Sequence, residues 1–95
     1  MAEPYLDSRM GKPKVLMVIQ LWFLGESDRM ISNQVGVNKD TVTRTLQMAS
    51  VTENSVVVVN DMVAEGLITA GEKDDYLNEL AVWGAAYRQK KRQAD

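Results

Sequence analysis

The stretch GESDRMISNQVGVNKDTVTRTLQ, residues 25–47, decides how this chain is read. Ser27 can cap a helix and Asp28 suits the positive end of one, so a helix is expected over Asp28–Val35 with Met30, Ile31 and Val35 on its apolar side. Gly36 can adopt the left-handed conformation that stops a helix, and Val37 plugs the turn. Asn38 then caps a following helix from residue 39 to about 48, which buries Val42 and Leu46. The small Ser32 lets the two helices approach closely. Burying Val42 and Leu46 turns the opposite side outward, and that side carries Lys39, Asp40, Thr43, Arg44 and Gln47. Such a surface either reads DNA or belongs to two helices that merely pack in a small core.

On the N-terminal side, Val15, Leu16, Val18, Ile19, Trp22 and Phe23 recur at i, i+3, i+4 and i+7, the spacing of a helix. Pro13 suits its first turn and Gly25 its end. A buried strand over residues 15–19 is the alternative; the length of the run and the lack of turn residues favour helix. Residues 1–11 have no periodicity and read as a flexible arm.

On the C-terminal side, Ser50 and Glu53 have the spacing of a capping box. The four valines at 56–59 suit a strand, but Val56, Val59, Val63 and Leu67 also fit a helical stripe, and a helix over about 51–65 is preferred. Gly66 ends it, and Thr69 and Glu72 form a second capping box. A last helix carries Tyr76, Leu77, Leu80, Trp83, Gly84 and Tyr87 along one side. The expected class is all-α: a three-helix head over 12–50, then a helical hairpin over 51–92.

The chain has 95 residues, enough for one domain with a thin core that oligomerisation often supplements. It has no cysteine and no histidine. Disulfides, thiolate metal sites, Cys nucleophiles, ordinary zinc sites and His general bases are thereby excluded, and no phosphate-cradling loop is present. No enzyme activity, cofactor or metal is expected. The longest apolar run, residues 15–24, is too short to span a bilayer, and the residues after it make a poor signal-peptide cleavage site. A cytoplasmic protein is expected, nucleoid-associated or, for a virus-encoded chain, in the host cell's cytoplasm.

The net charge of −2 conceals a polarised chain. Residues 1–8, 9–50, 51–87 and 88–95 carry net −2, +3, −6 and +3. Affinity for nucleic acid follows the local field rather than the total, so the basic front is compatible with phosphate. The basic tail reads equally as a solvated helix end, where cations suit the dipole.

Ser27, Ile31, Ser32, Val35, Gly36, Val37, Asn38, Thr41, Val42, Arg44 and Leu46 resemble the helix-turn-helix pattern: a capped start, an apolar-Gly-apolar turn, a polar cap, then Thr-Val-x-Arg-x-Leu. Gly11-Lys12-Pro13-Lys14 before the first helix resembles the Gly-Arg-Pro-Arg arm of the DNA-binding domain in Hin-type serine recombinases. The likeness covers residues 11–48. It implies a short arm in the minor groove beside a three-helix head, and DNA contact without recombinase chemistry. This chain departs from it in having Lys12 and Lys14 where the family has arginines, which suit a narrow minor groove better.

The reading that follows is sequence-specific binding of double-stranded DNA by a small transcriptional regulator. The expected contacts are Lys12, Lys14, Asn38, Lys39, Asp40, Thr41, Thr43, Arg44 and Gln47. The hairpin would make a homodimer through Leu77, Leu80, Trp83, Gly84 and Tyr87. Trp22, Trp83, Tyr76 and Tyr87 lie in apolar stripes and are expected in the core or an interface rather than stacked on bases. Two alternatives remain: the small DNA-recognition subunit of a viral packaging terminase, and a protein-interaction module or adaptor that does not touch DNA.

Overall fold

Every apolar stripe in the chain is helical, and so is every regular element among the described residues. The computed structural model describes residues 10–94. Five helices follow in order: α1 (Lys12–Phe23), α2 (Asp28–Val35), α3 (Lys39–Ser50), α4 (Thr52–Ala64) and α5 (Lys73–Ala94). A 3-10 turn, Ala70–Glu72, leads into α5. The valine run at 56–59 lies inside α4, which decides between strand and helix in favour of helix. The arm expected over 1–11 falls mostly outside the described residues. Its last two do not hang free: Met10 packs against the core, and the Thr45 hydroxyl donates to Met10 Sδ at 3.4 Å.

Helix ends follow local chemistry. The Ser27 side chain accepts from the Met30 N–H at 3.2 Å, and Asn38 accepts from the Thr41 N–H at 2.8 Å. At Thr69 the box is reciprocal. The Glu72 N–H donates to the Thr69 hydroxyl, and the Thr69 N–H donates to Glu72 Oε1 at 3.0 Å. The box expected at Ser50 does not form. α3 runs on to Ser50, whose hydroxyl donates back to the Gln47 carbonyl at 2.9 Å, and α4 starts after Val51 without a side-chain cap.

Helix α1 packs on α2, α3 and α4; α3 packs on α4 and α5 as well as on α2; α4 packs on α5. A single buried cluster joins Val15, Leu16, Val18 and Ile19 of α1 to Ile31, Val42, Leu46, Val58, Met62, Tyr76 and Leu80 of the others. The core is therefore continuous across the expected boundary at residue 50.

Helix α4 is rotated from the expected stripe. It buries Ser55, Val58, Val59 and Met62, whereas Val56 and Leu67 are exposed and Val63 is half-buried. The reason is polar. The 56/59/63 face also carries Thr52 and Asn60, and both are exposed in the observed rotation. Only Ser55 is drawn in, and its hydroxyl is satisfied by the Thr52 carbonyl at 3.0 Å.

Candidate nucleic-acid interface

The α2–α3 connection is three residues long, and each is fixed by a different bond or contact. Gly36 holds φ 81° and its N–H donates to the Ser32 carbonyl at 2.9 Å. The Ser32 hydroxyl donates to the carbonyl of Val37, and Val37 packs against the core. Asn38 caps α3. Ser32 was expected to act through its small size; its hydroxyl bond to the turn is a role that sequence patterning does not reveal.

The rotation of α3 is set by Val42, Thr45, Leu46, Ala49 and Ser50, all buried. The opposite side holds Asp40 and Arg44, exposed, with Thr43 and Gln47 half-buried at its edges, and Lys39 is exposed at the start of the helix. Asp40, Thr43, Arg44 and Gln47 sit at i, i+3, i+4 and i+7 and share one side of the helix, whereas Lys39 stands on the row of Val42 and Leu46 and is exposed because it begins the helix. Among the described residues, neither Lys39 nor Arg44 is tied in a salt bridge. Asn38 and Thr41 are differently placed, because they bind each other. The Thr41 hydroxyl donates to Asn38 Oδ1 at 2.9 Å, beside the backbone capping bond. Their side chains fix the start of α3 rather than stand free.

Lys12 and Lys14 lie in the first turn of α1, and not in an extended arm. Lys12 Nζ is 3.7 Å from Asp61 Oδ1, which directs it to α4 rather than to the outward side of α3; Lys14 is exposed. Of the residues expected to pair two copies, Leu80 is 0% exposed and Gly84 is buried against Ser50. Those two face the chain's own α3 and core, so they are not available to a second copy. Leu77, Trp83 and Tyr87 are half-buried, and the Tyr87 ring stacks on Trp83 with centroids 5.1 Å apart. Tyr76 is buried and stacks on Phe23 at 3.8 Å. Trp22 is half-buried and packs against the core.

A cleft of about 220 Å³ opens where α5 crosses the end of α3, lined by Gln47, Ser50, Gly84, Tyr87, Arg88 and Lys91. Sequence reading separated its two sides into a reading helix and a tail. The helical spacing of Gly84, Tyr87, Arg88 and Lys91 is the signal that places the last four on one side. No helix among the described residues is long and apolar enough to cross a membrane. No protein-family model matches this chain, and neither does any curated protein or solved structure.

Proposed function

We propose that the chain is a sequence-specific double-stranded DNA-binding protein of the helix-turn-helix kind, acting as a small transcriptional regulator. The observation that carries this reading is the outward side of α3, where Asp40, Thr43, Arg44 and Gln47 stand together, with Lys39 exposed at the start of the helix. An α-helix fits the major groove, and these side chains supply what base edges require. Arg44 donates in parallel to guanine O6 and N7. Gln47 pairs with adenine N6 and N7, Asp40 accepts from cytosine N4, and Thr43 bonds either kind of edge or packs on a thymine methyl. Lys39, at the start of the helix, meets phosphate.

In this reading Asn38 and Thr41 orient the helix. Lys14 is a better phosphate contact than Lys12, which has Asp61 beside it. A second copy would meet the accessible parts of α5, namely Leu77, Trp83 and the exposed Val82, rather than Leu80 and Gly84. The test is selection of bound duplexes from a random pool. An enriched motif is expected, and a palindromic one would place two copies about one helical turn apart. A pool that stays random while the chain binds a protein partner would replace this reading with that of an interaction module.

A further inference from the structure

The reading side of α3 does not end at Gln47, because the basic end of α5 is brought up beside it. Resting on the DNA-binding reading above, we propose that the cleft between α3 and α5 is a phosphate clamp. Arg88 and Lys91 hold the backbone of the duplex flanking the bases that α3 reads. Three observations carry this. First, Gln47 belongs to both surfaces: it is the last residue on the outward side of α3, and it lines the cleft with Arg88 and Lys91. A duplex seated on α3 therefore passes the mouth of the cleft. In one mode of major-groove docking, the residues past the base-reading side chains, at the C-terminal end of the helix, contact the backbone.

Second, the approach of α5 is built in. A Cβ placed on Gly84 would lie 2.7 Å from both Cβ and Oγ of Ser50, so only glycine allows the two helices to come this close. The same Cβ would be 3.3 Å from an Nη of Arg88. The guanidinium thus folds back over Gly84, at the wall of the cleft. Gly84, Tyr87, Arg88 and Lys91 sit at i, i+3, i+4 and i+7, one side of the helix, while Lys90 lies about a third of a turn away from it.

Third, the charge is uncommitted. Arg88, Lys90, Lys91 and Arg92 follow a segment of net −6, yet among the described residues none of the four makes a salt bridge. Anionic oxygens are the complementary partner for a planar guanidinium beside an ammonium and a phenol hydroxyl. The continuous run of phosphates along a duplex supplies them at the spacing of successive contacts.

The experiment measures affinity as a function of salt for the wild-type chain and for Arg88→Ala, Lys91→Ala, the double variant and Lys90→Ala. The probes are a duplex carrying the selected motif and an unrelated duplex of equal length, with the melting of each variant followed in parallel. Removing one phosphate contact should lower the slope of log affinity against log salt by about one, and removing two by about two. The loss should be alike on both duplexes, so the ratio between them is kept, and Lys90→Ala should leave the slope as it was. Equal slopes in the wild type and the double variant overturn the clamp and leave the α3 reading intact. An effect of Lys90→Ala as large as that of Arg88→Ala also overturns it, because the tail would then be a diffuse cationic cloud. A wild-type chain that binds neither duplex overturns the clamp together with the DNA-binding reading.

Discussion

Gly36 and Tyr76 show two ways in which a single residue contributes to stability. Gly36 turns the chain at φ 81°, with nothing within 4 Å of where its Cβ would be. The cost of a side chain there is backbone strain and not collision. Gly36→Ala should therefore destabilise by about 1–2 kcal/mol through the left-handed conformation alone. The shift of the urea midpoint at unchanged m-value measures it. Tyr76, stacked on Phe23, has its pKa raised, first by burial and then by the nearby Glu72 carboxylate. A raised phenol pKa means that the folded chain holds its proton to higher pH than the unfolded chain does. Stability from this group is complete below the unfolded value of about 10 and is lost as pH rises from there through the folded value. Tyr76→Phe should flatten that alkaline decline, as followed by thermal melts across the window. An equally steep decline in the variant would assign the loss to other groups.

Among the elements, the contact of α3 with α5 is the most constrained. Gly84→Ala must drive Cβ into Ser50, and both helices are anchored elsewhere by Leu46 and Leu80, so the strain has no cheap outlet. The substitution should destabilise by about 1–3 kcal/mol, despite alanine's better helix propensity. Ser50→Gly should recover part of that in the double variant, a coupling that a thermodynamic cycle would read. The ends of the elements were legible in the sequence because their causes are local. Ser27, Asn38 and the Thr69–Glu72 pair act within four residues, and each glycine after α1, α2 and α4 stands beside the helix end it marks. The rotation of α4 was less legible, because four successive valines are apolar on every side; Thr52 and Asn60 held the missing information. The capping box expected at Ser50 fails for a different reason. Ser50 is buried against Gly84 of α5, and this tertiary contact extends α3 through the residue that would otherwise have capped the next helix.

For the whole molecule, the continuous core means that the five helices should melt together. Leu80 touches the same buried cluster as Val15 and Val42, so Leu80→Ala should cost about 2–5 kcal/mol. It should do so in one transition seen alike by circular dichroism and by the fluorescence of Trp22 and Trp83. Two separated transitions would show that α4 and α5 fold as their own unit. Of the candidate site, the outward side of α3 was legible because burial of Val42 and Leu46 fixes the rotation of one helix. The cleft was not, because it joins residues 47 and 88, forty-one positions apart, and no local pattern reports that meeting. Charge sorts along the chain as well: the acidic residues run from α4 to the start of α5, while Arg88 and Lys91 of the basic end of α5 lie beside Gln47 of α3. Base reading by α3 is tested by the affinity of Arg44→Ala for the selected duplex and for duplexes changed one base pair at a time. If Arg44 pairs with a base, the variant loses about 1–3 kcal/mol on the selected site, with discrimination relaxed at one base position and kept at the others. Wild-type affinity and wild-type discrimination at every position in the variant would contradict it.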